Sequence, residues 1–203
     1  MEYYGGTRKG AVRMAGKGYY VALNGRRFSE KPEDWTHLDA ERLVRKDHPR
    51  IRFRGQLDLL QAKLVRAQVE FAERKADPKL IGDLQSVVDL LRQMVRSEVL
   101  DEALPSGDII GLTPAQLRAQ SHDPQGYFGV EYMKLPDHSM GFLYATLNEL
   151  RAQARMAETV AVEALGDRPT PPQRDILQAM NRLSSAFHIL MCRELAGRYS
   201  HGR

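Results

Sequence analysis

The chain of 203 residues contains a single cysteine, Cys192, and therefore cannot form an internal disulfide. One cysteine fits a reducing compartment, so the cytoplasm is the predicted location. Aromatic residues make up only 7% of the chain, too few to favour a base-stacking surface for nucleic acid. No apolar run reaches bilayer-spanning length, and the glycine-rich, basic start lacks a signal-peptide core. The composition predicts a soluble protein that acts neither on nucleic acid nor at a membrane.

The chain also lacks a large excess of positive or negative charge. The chain has 30 basic and 26 acidic residues, which gives a net charge of +4. This small excess is compatible with a phosphorylated small molecule and does not imply a nucleic acid partner. Hydrophobic residues reach 42%, which is enough for one domain with a sizeable core and a small appendage.

Residues 1–35 form the predicted appendage, an N-terminal arm. Glycines recur there among basic and aromatic residues. The segments Tyr19–Leu23 and Arg26–Phe28 flank the pair Asn24-Gly25, which readily takes the positive φ of a tight turn. The pattern predicts a small β-hairpin, and strand signals nearly vanish beyond Trp35.

Residues 36–203 are predicted to be helical, because apolar residues recur at helical spacing and Pro or Gly separate the segments. Gly166 suits a left-handed helix end, and a loop is expected from Ser121 to Pro136. The predicted helices are Leu38–Val44, Ile51–Lys75, a long helix from about Leu80 to Val99, Thr113–Gln120, Asp137–Leu165 and a last helix from Thr170-Pro171 to Leu195. The predicted fold class is all-α, a bundle of four to five main helices with a small N-terminal hairpin or arm.

Arg151, Arg155 and Glu158 form a charged stripe on one predicted helix. Spacings of four and seven place all three on one side, because seven steps of about 100° end near the start. Apolar residues on the opposite side already supply a core, so the stripe is free to bind an anion. A solvated helix face with an Arg-to-Glu pair is the alternative, since surface pairs are common and weak. Asn181 and Arg182 of the last helix could add hydrogen-bond donors.

The same residues carry a resemblance to a known family. The runs Leu150-Arg151, Arg155 and Glu158, followed by the segment 175–185, resemble ATP:cob(I)alamin adenosyltransferases, in particular the branch of ethanolamine utilization. The segment from Thr36 to Asp58 and the loop at Leu135-Pro136 look like the same branch. Several separated motifs in the same order, covering about Trp35 to Leu195, make the resemblance specific.

The resemblance implies a homotrimer of helical bundles that binds ATP and the corrinoid where subunits meet. It implies transfer of the 5′-deoxyadenosyl group from ATP to the cobalt of cob(I)alamin, which releases triphosphate, with Mg²⁺ held by the ATP phosphates. Arg151 and Arg155 would clamp the triphosphate, with Glu158, Asn181 and Arg182 completing the ATP site. Asp58 would pair with an arginine, such as Arg151 of a neighbouring subunit.

The family also suggests a corrinoid contact, because an apolar or aromatic side chain displaces the lower axial ligand of the cobalt. Four aromatic or methionine residues precede Leu135-Pro136 and are the candidates: Tyr127, Phe128, Tyr132 and Met133. For any one of them, anchoring of the loop to the bundle is an equally good interpretation.

The chain departs from the family pattern at its start. Some members of this branch carry a metal-binding cysteine cluster just before the Thr-His-Leu segment, and here that stretch has no cysteine. The histidines show no paired ligand spacing, so no metal site made of protein side chains is expected. Thr7, Arg8 and Lys9 lie in a glycine-rich segment that loosely resembles a phosphate loop. A flexible terminus explains the same segment.

Two interpretations from other classes stay open. A noncatalytic bundle could bind adenosylcobalamin or nucleotide and deliver it to a partner enzyme. A helical scaffold could use the stripe only for ion pairs between subunits. For the catalytic interpretation, the expected partner is a cobalamin-dependent acceptor enzyme, either free in the cytoplasm or inside a bacterial microcompartment.

Overall fold

The structure is a computed structural model that describes residues 18–131 and 135–199. It divides the chain into two compact units, residues 1–51 and residues 52–203. No helix within the described ranges is long and apolar enough to cross a membrane.

The N-terminal unit contains a four-stranded sheet with the order β2-β1-β4-β3. Its strands are β1 Tyr20–Ala22, β2 Arg27–Phe28, β3 Trp35–His37 and β4 Arg42–Arg45. β1 pairs antiparallel with β2 and parallel with β4, and β3 pairs antiparallel with β4. The predicted hairpin is confirmed, and Gly25 supplies the positive φ, +82°, in its turn.

The predicted helix at Leu38–Val44 is wrong, because these residues form a turn and a strand. Asp39 accepts hydrogen bonds from the backbone N–H groups of Glu41 and Arg42, at 3.0 and 2.8 Å, and so closes the turn. Leu43 and Val44 are then both buried in β4. Strands β3 and β4 therefore extend beyond residue 35, where the N-terminal arm is predicted to end.

Six helices occur among the described residues, and the predicted all-α bundle is confirmed. They are α1 Pro49–Glu73, α2 Pro78–Leu100, α3 Pro114–His122, α4 Pro124–Phe128, α5 Gly141–Leu165 and α6 Pro171–Leu195. The apolar stripes of the four long helices meet in one core, whose largest side chains include the fully buried Phe53, Phe71 and Phe187. Thr113 caps the start of α3 and Thr170 caps the start of α6, and each forms a capping box with the glutamine three residues later, Gln116 or Gln173.

Polar contacts show how α1 lies between α2 and α5. Arg54 of α1 pairs with Glu98 near the end of α2, whereas Gln68 hydrogen-bonds Gln85 nearer its start, at 3.1 Å. Toward α5, Gln153 donates to Gln56 at 2.8 Å. Contacts between early residues of one helix and late residues of the next mean that α1 and α2 run antiparallel.

The last helix, α6, closes the bundle against α2 and α5. Arg193 near the end of α6 pairs with Asp83 near the start of α2 at 3.0 Å, and Thr170 donates to Asp101 at the other end. A short connection after Leu165 makes α5 and α6 antiparallel as well. The chain between α2 and α5 must therefore return along the bundle, and it carries α3 and α4, which pack on α6.

Two turns differ from the prediction. The expected loop at 121–136 contains α4, because Asp123 caps it by accepting from the Gly126 N–H at 2.9 Å and Pro124 occupies its first turn. Gly166 is right-handed, with φ −74°, rather than left-handed. A Cβ at this position would collide with the Val162 carbonyl oxygen, so glycine serves a close approach here.

Candidate functional site

The charged stripe of α5 opens into a small polar pocket of about 210 Å³ between α5, α6 and the end of α3. We call it the arginine pocket. Its lining residues are Ser121, His122, Arg151, Arg155, Ser184, Ser185 and His188.

Helix α5 holds both arginines on its polar side because its core contacts are made elsewhere on the helix. Leu150 and Ala154 are buried in the bundle, which leaves the neighbouring positions Arg151 and Arg155 facing outward. Arg151 Nε and Nη2 donate to Asn148 Oδ1 at 3.2 and 3.0 Å, so one turn of the same helix orients this guanidinium. Arg155 is exposed, and within the described ranges its side chain has no hydrogen-bond partner. One arginine is thus preorganised and the other is available.

Helix α6 supplies the opposite wall. Ser184, Ser185 and His188 fall on one side of α6, because they are spaced by three and four residues. Burial, and then the nearby Arg151 guanidinium, lower the pKa of His188. The imidazole is therefore neutral at neutral pH, and its Nε2 lies 3.7 Å from the Cys192 sulfur. Cys192 itself is a buried core residue, and burial raises its pKa to about 11.

The last turn of α3 forms the third wall. Its Ser121 and His122 approach the arginines because α3 packs along α6. Among the described residues that line the pocket, two are cations, three carry hydroxyl groups and none is a carboxylate. Guanidinium forks and hydroxyl donors are groups that bind phosphate oxygens. The geometry of the pocket suits a phosphate-bearing anion.

Glu158 and Asn181 lie beside the arginine pocket rather than in its lining. Glu158 is half-buried one turn beyond Arg155 on α5. Asn181 is exposed one turn before Ser184, and its carbonyl accepts from the Ser184 hydroxyl at 3.4 Å. Both would flank a ligand that extends along the helices beyond the pocket.

Arg182 and Asp58 are not brought to this pocket. Arg182 lines a different cavity of about 500 Å³, between α6 and the segment after α2, where Asp108 and Asp175 also lie. Its Nε is buried without a hydrogen-bond partner among the described residues. Asp58 is exposed on α1. These two residues can complete the arginine pocket only if another subunit presents them.

The remaining predicted site residues divide between another pocket and the undescribed parts of the chain. Phe128 is half-buried on α4 and lines a pocket with Lys79 and Tyr199. The other five predicted site residues lie outside the described residues: Thr7, Arg8, Lys9, Tyr132 and Met133. Within the described ranges, no group of three or more His, Cys, Asp or Glu residues could hold a metal ion.

Sequence reasoning missed His188, Ser184 and Ser185 as members of the site. The signal was present, since they follow Asn181 at three, four and seven residues, the helix-face spacing of the stripe on α5. Ser121 and His122 had no comparable signal, because their position depends on how the connection folds back over α6.

Comparisons with known proteins identify the family that the chain resembles. A profile of the family described as cobalamin adenosyltransferase matches residues 28–194. Two relatives named corrinoid adenosyltransferase EutT, from Salmonella typhimurium and Escherichia coli, are 38% and 39% identical over 82% and 80% of this chain. The chain spans 61% and 59% of the length of these two relatives.

Solved structures show the same fold. Two variants of a PduO-type ATP:corrinoid adenosyltransferase from Lactobacillus reuteri, both complexed with cobalamin and ATP, match with a TM-score of 0.60. Sequence identities are 14% and 15%, and the matches cover 91% of this chain and 93% and 90% of those chains. The helical-bundle fold is therefore a known architecture.

Proposed function

Because this chain belongs to the cobalamin adenosyltransferase family, we propose that it transfers the 5′-deoxyadenosyl group of ATP to the cobalt of cob(I)alamin. The products are adenosylcobalamin and triphosphate. The observation that carries the proposal is the arginine pocket, where Arg151 and Arg155 face a row of hydroxyl groups and a neutral imidazole. Such a lining suits the polyphosphate end of ATP.

The chemistry of this transfer fits the residue types. Reduced cobalt is itself a strong nucleophile, so the chain needs no general base, and no carboxylate occurs among the described residues that line the pocket. Negative charge grows on the triphosphate as its bond to C5′ breaks. Preoriented donors stabilise such charge, and Arg151, held by Asn148, is preoriented. Arg155 would complete the clamp when the phosphates enter.

We propose that Mg²⁺ enters with ATP and is held by its phosphates. The arginine pocket offers cations and neutral donors to a ligand, and hard divalent cations prefer oxygen anions. The phosphate oxygens, rather than side chains of the pocket, would therefore hold the metal.

The size of the arginine pocket supports a site shared between subunits. Its volume of about 210 Å³ is below the range of about 300–1,000 Å³ typical of pockets that enclose a drug-sized ligand. It can hold the phosphates of ATP, but the nucleoside and the corrinoid need a further surface. We propose that a neighbouring copy of this chain provides it, in a homotrimer.

Exposed apolar residues mark the face that would be covered. Leu59 and Val69 on α1 are 43% and 54% exposed, and Met156 and Val162 on the adjoining α5 are 59% and 57% exposed. Apolar clusters of this kind favour a protein interface. Arg155 lies seven residues before Val162 and so borders the same face.

Asp58 is exposed on the same side of α1 as Val69, since eleven residues along the helix complete about three turns. In the proposed trimer it pairs with an arginine of the neighbouring subunit, which places a carboxylate next to the guanidinium clamp.

Leu59→Asp and Met156→Asp should each convert the trimer to monomer in sedimentation velocity experiments, because they bury a charge in the interface. Leu100→Asp is the control, since Leu100 is similarly exposed, at 52%, at the end of α2. Trimers that persist in both interface variants would contradict the assignment of this face.

The corrinoid is proposed to contact the end of α4 and the residues after it, through Phe128, Tyr132 and Met133. Phe128 packs against the bundle core, and Leu135, between α4 and α5, is 79% exposed. An aromatic and apolar segment excludes water from one face of the corrin, which favours loss of the lower axial ligand.

The decisive experiment incubates the purified protein with ATP, Mg²⁺ and chemically reduced cobalamin. Adenosylcobalamin and triphosphate should appear in equal amounts, followed by absorbance and by ³¹P NMR. Tight cobalamin binding without triphosphate release by folded protein would contradict catalysis and favour a carrier that delivers adenosylcobalamin to a partner enzyme.

We also propose that the protein works in the bacterial cytoplasm, where a lone cysteine stays reduced. A microcompartment inside the cytoplasm that holds a cobalamin-dependent acceptor enzyme is the narrower form of this proposal. Co-sedimentation of the protein with purified compartments from a native host would support it, and recovery only in the soluble fraction would contradict it.

A further inference from the structure

A second polar pocket, of about 370 Å³, lies where α2 begins and α6 ends, beneath α3 and α4. We call it the basic pocket. Its lining residues are Lys79, Gln120, Tyr127, Phe128, Arg193, Arg198 and Tyr199. Three of these are cations, and none of the described residues in the lining is a carboxylate.

One carboxylate lies beneath the basic pocket and organises it. Asp83 is 9% exposed. Its Oδ2 accepts from Lys79 Nζ, from Arg193 Nη1 and from the Tyr199 hydroxyl, each at 3.0 Å. Burial, and then the Asp83 charge, raise the pKa of Tyr199. Tyr199 therefore stays neutral and adds no negative charge.

The charges in this cluster do not cancel. Asp83 balances one of the two cations that it binds, which leaves one positive charge beside it. Arg198 adds a second positive charge, and among the described residues its Nη2 donates to a neutral acceptor, the Tyr127 carbonyl oxygen, at 3.3 Å. The pocket therefore presents about two uncompensated positive charges, and charge of one sign in a concave site attracts a ligand of the opposite sign.

We propose that the basic pocket binds the phosphate group of a small molecule. A phosphate dianion matches the charge, and its oxygens can accept from Arg198, Arg193 and Lys79 together. The donors are already in place, because Asp83 orients Lys79 and Arg193. The volume exceeds that of a phosphate alone, and Tyr127 at its rim is 47% exposed, so a planar group attached to the phosphate could stack there.

The basic pocket is separate from the arginine pocket, although its lining includes Phe128, a proposed corrinoid contact. Its proposed phosphate donors, Lys79, Arg193 and Arg198, have no part in the proposed adenosyl transfer. The two pockets share no lining residue, and on α6 they use different sides of the helix. The last turn of α3 separates them, with Gln120 in one lining and Ser121 and His122 in the other.

The test is a ³¹P NMR titration of the full-length protein with inorganic phosphate. Because the arginine pocket also suits phosphate, all comparisons use an Arg155→Gln background. Arg198→Gln should weaken phosphate binding at least about tenfold, since a hydrogen bond to a charged group is lost. Arg118→Gln is the matched control, because Arg118 is an exposed cation of α3 that lines neither pocket, and it should leave the affinity unchanged.

Lys79→Gln gives an independent reading if Arg198→Gln does not fold, because the Lys79 side chain is 60% exposed and its loss should be tolerated. It should weaken phosphate binding as well. Unchanged affinity in both variants would overturn the proposal, as would equal losses in Arg118→Gln.

A second probe, adenosine 5′-monophosphate, separates a phosphate ester from free phosphate. If adenosine 5′-monophosphate binds more tightly than inorganic phosphate and Tyr127→Ala abolishes this difference, the pocket is assigned to a phosphate ester with a planar group. Equal affinities for both probes, still sensitive to Arg198→Gln, assign it to a free phosphate anion.

Discussion

Arg155→Ala is the sharpest test of the proposed clamp, because its effects on stability and on catalysis should separate. The Arg155 side chain is exposed, and its backbone carbonyl accepts from the Thr159 hydroxyl, a bond that the substitution leaves in place. Alanine also has high helix propensity. The free energy of unfolding should therefore change by less than about 0.5 kcal/mol. For a chain of this length, that shifts Tm by no more than about 2 °C.

The effect on catalysis should be much larger. Arg155 is the available guanidinium of the clamp, and its fork can make two hydrogen bonds to the leaving phosphates. Loss of one hydrogen-bond donor to developing negative charge costs about 10²–10³ in kcat. Arg155→Lys keeps the charge but loses the fork, so we expect an intermediate kcat.

The assay measures initial rates of adenosylcobalamin formation with saturating ATP and chemically reduced cobalamin. Arg118→Ala provides the control, since it removes an exposed cation outside both pockets. A loss of kcat below about threefold in Arg155→Ala, which is less than 1 kcal/mol, would refute the clamp. A fall in Tm that parallels the fall in activity would show instead that the arginine stabilises the fold.

Three further predictions concern stability. Glu98→Gln should lower the free energy of unfolding by about 3 kcal/mol in urea titrations, because it removes the charge of a fully buried side chain that pairs with Arg54. Glu163→Gln, in a half-exposed pair with Arg52, should cost less than about 1 kcal/mol, and equal losses in the two variants would contradict this. Burial raises the pKa of Cys192 from 9.0 to about 11, so the neutral thiol stabilises the folded state below pH 9, and this stabilisation is lost as pH rises to about 11. The decline of Tm at alkaline pH should therefore be shallower in Cys192→Ala than in the wild type. Identical slopes in the two proteins would contradict this prediction. Gly166→Ala should destabilise by about 1–3 kcal/mol, since its Cβ meets a carbonyl oxygen one turn earlier, and an unchanged urea midpoint would contradict this.

The long helices could be predicted from the sequence because each shows a sustained apolar repeat with clear ends. The predicted starts at Thr113-Pro114 and Thr170-Pro171 are confirmed, since Thr before Pro combines a side-chain cap with a favoured first residue. Leu38–Val44 was too short for its period to distinguish a helix from a strand. The turn at Asp39 and pairing with other strands decided its structure.

The candidate site was predictable only along single helices. Spacing placed Arg151 and Arg155 on one side of α5, and both line the arginine pocket. Asn181 and Arg182 are adjacent in sequence but face different surfaces, since one residue along a helix turns about 100°. Which neighbours meet across helices depends on the connection between α2 and α5, and that path leaves no periodic signal.

That connection has a consequence for how ligands could influence each other. The final turn of α3 is a partition with Gln120 on one side and Ser121 and His122 on the other. A ligand that binds in one pocket and shifts this turn changes the volume and the hydrogen-bond donors of the other pocket. Any such linkage must be mutual, so the factor by which phosphate alters nucleotide affinity equals the factor by which nucleotide alters phosphate affinity.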